Sequence, residues 1–133
     1  MSDKTHSGSC LCGGVQFEVS APTTGIYYCH CVQCRKQTGH HSAAAEWPVA
    51  NLKLLKDGTL KWYCASDTAK RGFCGTCGST LFWRSNANNE RIFIHCGTFD
   101  GDIGIPGYAH IYTSWKGDYY ELSTDVPHYR ETD

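Results

Sequence analysis

Seven of the nine cysteines fall in three tight groups: Cys10 and Cys12 as CxC, Cys29, Cys31 and Cys34 as CHCVQC, and Cys74 and Cys77 as CGTC. Short spacing lets one turn of backbone aim two or three sulfurs at a single ion, and the neighbouring Gly13, Gly14, Gly75 and Gly78 permit the tight turns this needs. Thiolate-rich sets select zinc or iron–sulfur clusters, and the spacings here do not reproduce those of the bulkier clusters, which favours zinc. Seven ligands fall one short of two closed tetrahedral sites. The natural division is four plus three: a closed, structural site and a site with one position left for water or substrate. Spacing alone also admits one four-cysteine site with bystanders, and Cys31 and Cys34 with Cys74 and Cys77 would make an equally reasonable zinc ribbon. A disulfide framework would leave one of nine thiols unpaired and would need an oxidising compartment.

The elements that must position these sulfurs read mainly as strands. Val15, Phe17 and Val19 alternate with Gln16 and Glu18, the pattern of a half-buried strand. Similar segments follow at Ser42–Glu46, Leu52–Lys56, Leu60–Cys64, Thr80–Arg84, Arg91–Cys96 and Ala109–Trp115, separated by turn chemistry such as Asp57-Gly58 and Asn86–Asn89. Only short helical turns are expected, the best at Val32–Thr38, stopped by Gly39. No repeat or linker divides the chain, so residues 1–133 are expected to form one domain with a core of about 8–129. The polar ends, Met1–Ser7 and Arg130–Asp133, are expected to be loose.

Composition narrows the function classes. Twelve Lys plus Arg against thirteen Asp plus Glu give a net charge of −1, too little positive field to grip a nucleic-acid backbone. No stretch approaches the roughly 20 apolar residues of a membrane span, and the polar start carries no apolar signal region, so the expected location is cytoplasmic.

The runs GSCLCGGVQFEV, YCHCVQCRKQTG, RGFCGTCGSTLFW, CGTFDG and HIYTSW, in this order from Cys10 to about Tyr129, resemble the glutathione-dependent formaldehyde-activating enzyme family, also called the CENP-V/GFA domain. The resemblance implies a small zinc-pinned β-tent fold and two zinc ions per chain. The structural zinc would be held by Cys10, Cys12, Cys74 and Cys77, and the catalytic zinc by Cys29, Cys31 and Cys34. It further implies a carbon–sulfur lyase-like activity resembling S-(hydroxymethyl)glutathione synthase, with glutathione as co-substrate and small-molecule thiol and aldehyde partners. Where the family often carries a Trp a few residues past its HI motif, this chain places Tyr119, in a region expected to shape the pocket mouth. The rival reading is a non-catalytic, zinc-stabilised binding module or a zinc-exchange protein.

Other residues are candidates of lesser weight. Strand parity puts Cys64 with Leu60 and Trp62, and Cys96 with Ile92 and Ile94, so both are expected to be buried and apolar in role. His30, between two ligand positions, would point away from the ion on an extended backbone. His95 shares a strand face with Phe93, opposite Ile92 and Ile94, and could look into a cleft. His40 and His41 follow the CHCVQC loop closely enough to reach the surroundings of its ion, and His110 reads as a surface or satisfied histidine. Arg35, Lys36 and Arg71 flank the cysteine loops and could bind the carboxylates of glutathione. Phe73, Phe82 and Trp83 read as core.

Overall fold

In the computed structural model, which describes residues 4–20 and 23–132, the chain runs β1 (Thr5–Ser9), β2 (Gln16–Ser20), β3 (Ile26–Cys29), α1 (Val32–Thr38), β4 (Ser42–Pro48), β5 (Leu52–Lys56), β6 (Leu60–Tyr63), β7 (Ala69–Cys74), β8 (Thr80–Ser85), β9 (Arg91–His95) and β10 (Gly107–Ile111). Single 3-10 turns sit at Val49–Asn51, Cys96–Thr98 and Thr113–Trp115. The fold is mainly β with short helical turns, as the alternation predicts. No helix among the described residues is long and apolar enough to cross a membrane.

Two sheets form. One has three strands in the order β1-β2-β5, and the other seven in the order β10-β3-β4-β9-β8-β7-β6. All neighbours are antiparallel except β10, which pairs with β3 in parallel. The side-chain period of two divides the large sheet into two faces. Ala45 and Trp47 of β4, Phe82 of β8 and Ile92 and Ile94 of β9 join Phe17 and Val19 of β2, with Val15 just before it, in one buried core. Phe17 meets Phe82 edge-on at 5.5 Å and Phe99 at 5.6 Å. The opposite parity of the large sheet carries Ser42, Ala44 and Glu46 of β4 and Phe93 and His95 of β9, and this face bounds a cavity.

Helix α1 follows its sequence signals closely. The Cys31 sulfur caps its start by accepting the Cys34 N–H, and Gly39 ends it at φ 82°, donating its N–H to the Arg35 carbonyl at 2.9 Å. Several expectations need correction. Thr5–Ser7 belong to β1, and the last residues dock on β10: Tyr112 N–H donates to the Glu131 carbonyl at 2.7 Å and Tyr129 N–H to the His110 carbonyl at 2.8 Å. Residues 1–3 and 133 lie outside the described residues. The strand expected through Trp115 stops at Ile111, because Tyr112 takes a left-handed turn at φ 56° and the chain enters a 3-10 turn. Cys64 is exposed: β6 is an edge strand that ends at Tyr63, so parity no longer governs the next side chain. Cys96 is half-buried against the core.

Removing the Phe82 ring leaves a void where the two sheets meet. Phe82→Ala is expected to cost about 3–5 kcal/mol, whereas Leu55→Ala, at an exposed position of β5, should change stability by less than about 0.5 kcal/mol. Urea denaturation of the metal-loaded protein checks both, and equal effects would contradict the placement of the core.

Candidate metal centres and the cavity beside them

Two turns bring the first cysteine set together. Cys10 directly follows β1 and leads into a turn through Cys12 with Gly13 at φ 80°; Cys74 closes β7 and is followed by a turn through Cys77 with Gly78 also at φ 80°. Both glycines occupy the left-handed region that a side chain disfavours, and each sits directly after the second cysteine of its pair. The two knuckles are joined by the Leu11 N–H, which donates to Ser79 Oγ at 2.9 Å. All four sulfurs lie within 4.8 Å of one another. Cys12 Sγ is 3.7 Å from both Cys10 Sγ and Cys74 Sγ. A tetrahedral zinc with bonds of about 2.3 Å has sulfur–sulfur edges of about 3.8 Å, while a disulfide needs about 2.05 Å. The donor set therefore fits zinc, and all nine cysteines are unbridged.

The sulfurs also sit among hydrogen-bond donors suited to thiolates. Val15 N–H donates to Cys10 Sγ at 3.2 Å, and Thr76 and Cys77 N–H groups to Cys74 Sγ at 3.4 Å. The Ser79 hydroxyl and N–H pull the Cys77 thiol down to about 5.

The second set lies at the end of β3 and the start of α1: Cys29, Cys31 and Cys34, again within 4.8 Å. Hydrogen bonding from Cys29, then from Cys34, favours the Cys31 thiolate. Arg71 of β7 reaches this group from across the sheet. Its two terminal nitrogens stand 3.6 and 3.7 Å from Cys34 Sγ, and they donate to Gln37 Oε1 at 2.9 Å and Gln33 Oε1 at 3.2 Å. Arg71 is only 4% exposed and has no carboxylate partner among the described residues, where the ion pair is Arg91–Glu46. Burying a guanidinium is costly without a nearby negative charge, and the three-cysteine set is in place to carry it: the Arg71 charge adds to the hydrogen bonds that favour the Cys31 thiolate.

The three-cysteine set opens on a cavity of about 640 Å³, whereas the four-cysteine set takes no part in its wall. The division of four and three, with the pairing of Cys10 and Cys12 to Cys74 and Cys77, is thus present in the geometry; the zinc-ribbon pairing of Cys31 and Cys34 with Cys74 and Cys77 is not. Of the lesser candidates, Arg71 and His95 line the cavity, and Arg35 and Lys36 lie outside its wall. Tyr119 is exposed and donates its hydroxyl to the His40 carbonyl at 3.0 Å; Tyr112 and Trp115 stand in the wall in its place. Trp83 faces the cavity, not the core.

His30 is fully buried with both ring nitrogens engaged, Nε2 with His110 Nδ1 at 2.9 Å and Nδ1 with the Tyr120 hydroxyl. It therefore ties the cysteine loop to the C-terminal segment, as a packing neighbour of a ligand would. His110 passes the chain of hydrogen bonds to Ser123 Oγ at 2.9 Å, and His41 packs its ring against His30 at 4.7 Å. The reading of His110 as satisfied holds, though the ring is buried. Sequence reasoning missed the wall residues Tyr27, Ser42, Glu46 and Phe93. The available signal was strand parity, since Tyr27 shares a face with Cys29, and Phe93 with His95.

Residues 5–115 match the family described as glutathione-dependent formaldehyde-activating enzyme. Over 118 residues the chain is 25% identical to a protein of Schizosaccharomyces pombe named an uncharacterized lyase, a match spanning 89% of this chain and 85% of that one. The crystal structure of a Rhodobacter sphaeroides protein, 23% identical, shares the fold with a TM-score of 0.63, covering 92% of this chain and 98% of the other.

Burial, and after it the charge of Arg71, pushes the His95 imidazole down from 6.5 to about 4, so it is neutral at pH 7. Unfolding restores the ordinary value. Between about pH 6.5 and 4 the unfolded chain then holds the extra proton, so this residue's cost is absent above that window and grows as pH falls through it. Wild-type stability should therefore drop more steeply than that of His95→Gln between pH 7 and pH 4.5, read by urea denaturation at matched metal content. Parallel pH profiles would show that His95 is not held neutral by its surroundings.

Proposed function

The chain belongs to the glutathione-dependent formaldehyde-activating enzyme family, and from that premise we propose that it is a zinc-dependent carbon–sulfur lyase-like enzyme joining a thiol such as glutathione to a small aldehyde. The observation that carries this reading is the unequal setting of the two cysteine sets. The three-ligand set faces a cavity of about 640 Å³, and the four-ligand set sits between two knuckles away from it, with Cys12 at the surface. In this reading Cys10, Cys12, Cys74 and Cys77 hold a structural zinc, and Cys29, Cys31 and Cys34 hold the catalytic one. Zinc bound there supplies a position at which an incoming thiol can give up its proton near neutral pH.

The chain's own residues prepare the site for an anionic sulfur. Arg71 offsets the negative charge gathered by three thiolates, and β3 and α1 hold the three sulfurs together in the cavity wall. The neutral His95 adds no competing charge in the cavity wall. In the forward direction a carbon–sulfur bond forms, the carbonyl pair moves to oxygen, and that oxygen takes up the proton equivalent released by the thiol. The reverse direction is the lyase reaction.

Purified protein is expected to carry two zinc ions and to accelerate adduct formation between glutathione and formaldehyde, followed by NMR exchange. Cys31→Ala should lose one zinc and the acceleration while keeping its fold. Cys77→Ala, which opens the link between β1 and β7, should lower the melting temperature by roughly 10 °C or more. Equal unfolding by both substitutions would remove the distinction between the sites, and an unaccelerated reaction with two zinc ions bound would overturn the enzymatic reading.

A further inference from the structure

The cavity beside Cys29, Cys31 and Cys34 is far larger than formaldehyde requires, and its wall is poorly suited to most of glutathione. Its charged lining residues are Arg71 and Glu46. Arg71 is engaged with Gln33, Gln37 and Cys34, and Glu46 pairs with Arg91 at 3.2 Å. Arg71 is thus occupied and Glu46, itself a carboxylate, repels those of the tripeptide, which are better solvated at the mouth. What the wall offers instead is aromatic surface.

Its arrangement follows from the register of the large sheet. Ala44 of β4 pairs with Tyr27 of β3 on one side and His95 of β9 on the other. One strand step further, Glu46 pairs with Phe93, which pairs with Trp83 of β8. Because Ala44 carries only a methyl group, the rings of Tyr27 and Phe93 meet across it at 5.9 Å, nearly perpendicular at 80°. Trp83 continues the series, 5.6 Å from Phe93 at 78°. Tyr112 and Trp115, 5.9 Å apart, contribute to the wall from the segment after β10. The result is a hollow walled by these rings, with Ala44 also in its lining, beginning one strand step from Cys29. Two residues of strand span about 7 Å, which is the reach of one six-membered ring attached to a carbon bonded to a sulfur at the cysteine set.

We propose that this hollow receives a planar, apolar substituent on the carbonyl reactant, so that the substrate class is aromatic aldehydes and their thiol adducts. This rests on the thiol–aldehyde reading above. The step keeps the same balance: RSH + ArCHO gives RS–CH(OH)–Ar, with the sulfur-bound proton equivalent ending on the carbonyl oxygen. The edge-to-face ring series favours a flat aromatic guest over a branched aliphatic one, because a further ring can stack or tilt against either neighbour.

Binding and turnover are tested separately. Benzamide, which has the shape of an aromatic aldehyde and does not react with thiols, is titrated into the zinc-loaded protein while NMR follows the Ala44 methyl and Trp83 indole N–H. Benzamide should shift both signals saturably, acetamide should not, and Ala44→Phe should abolish the shift at Trp83. If that variant does not fold, Phe93→Ala serves, with an expected loss of affinity of about tenfold or more. In turnover, the ratio of kcat/KM for benzaldehyde to that for formaldehyde should exceed one and fall at least tenfold in the same variant. Benzamide binding without turnover of any aldehyde would leave the hollow's ligand class standing and overturn the proposed reaction. No saturable shift with benzamide, or equal shifts with acetamide, would overturn the ligand class whatever the rates.

Discussion

The arrangement depends on the four-cysteine junction, which holds the turn after β1 against the turn after β7 although Cys12 and Cys74 stand 62 positions apart. Everything between them, including the second cysteine set and most of the large sheet, is a loop closed by that junction. Closing so long a loop without a strong link carries a substantial entropic cost. The core directly beneath it, Val15, Phe17, Leu81 and Phe82, is where the small sheet meets the large one. A metal link there and the core would reinforce one another: the link would hold the sheets together where Phe17 meets Phe82, and that contact keeps both knuckles facing each other.

A second constraint is electrostatic. Arg71 is the cation enclosed beside the three-cysteine set, and glutamine side chains accept from its two terminal nitrogens without satisfying its charge. Three thiolates with a divalent zinc would carry a net charge of −1, and the guanidinium would bring the assembly to neutrality. Such a site would account for a cation on β7 turned inward, a direction that burial alone would oppose. It also links α1 to the far half of the sheet, since Gln33, Cys34 and Gln37 of the helix all meet Arg71.

Much of the fold was legible locally. The boundaries of α1 and β5 and the buried face of β2 followed from capping and alternation, because those signals are carried by neighbouring residues. Strands β1, β3 and β7 were not recognised: THSGS, IYYC and AKRGFC lack apolar alternation, and β7 turns Arg71 toward a cavity where a hydrophobe would be expected. The cysteines stood out as candidate ligands, but their grouping came only from the family resemblance, since spacing cannot say which distant turns meet. Trp83 was read as core because large apolar residues usually are, and only the register with Phe93 shows which face it takes. Cys64 failed for the opposite reason, as parity was extended past the last residue that the sheet controls.

The two-faced large sheet has a consequence for how such a protein can diversify. Trp47, Ile92 and Ile94 hold the sheets together, and Glu46, Phe93 and His95 alternate with them along the same strands on the cavity side. Adjacent codons thus answer to different selective demands, one set to cohesion and the other to chemistry. A lineage can exchange every second residue of β4 and β9, remodelling the chamber, while the intervening positions keep the scaffold's shape.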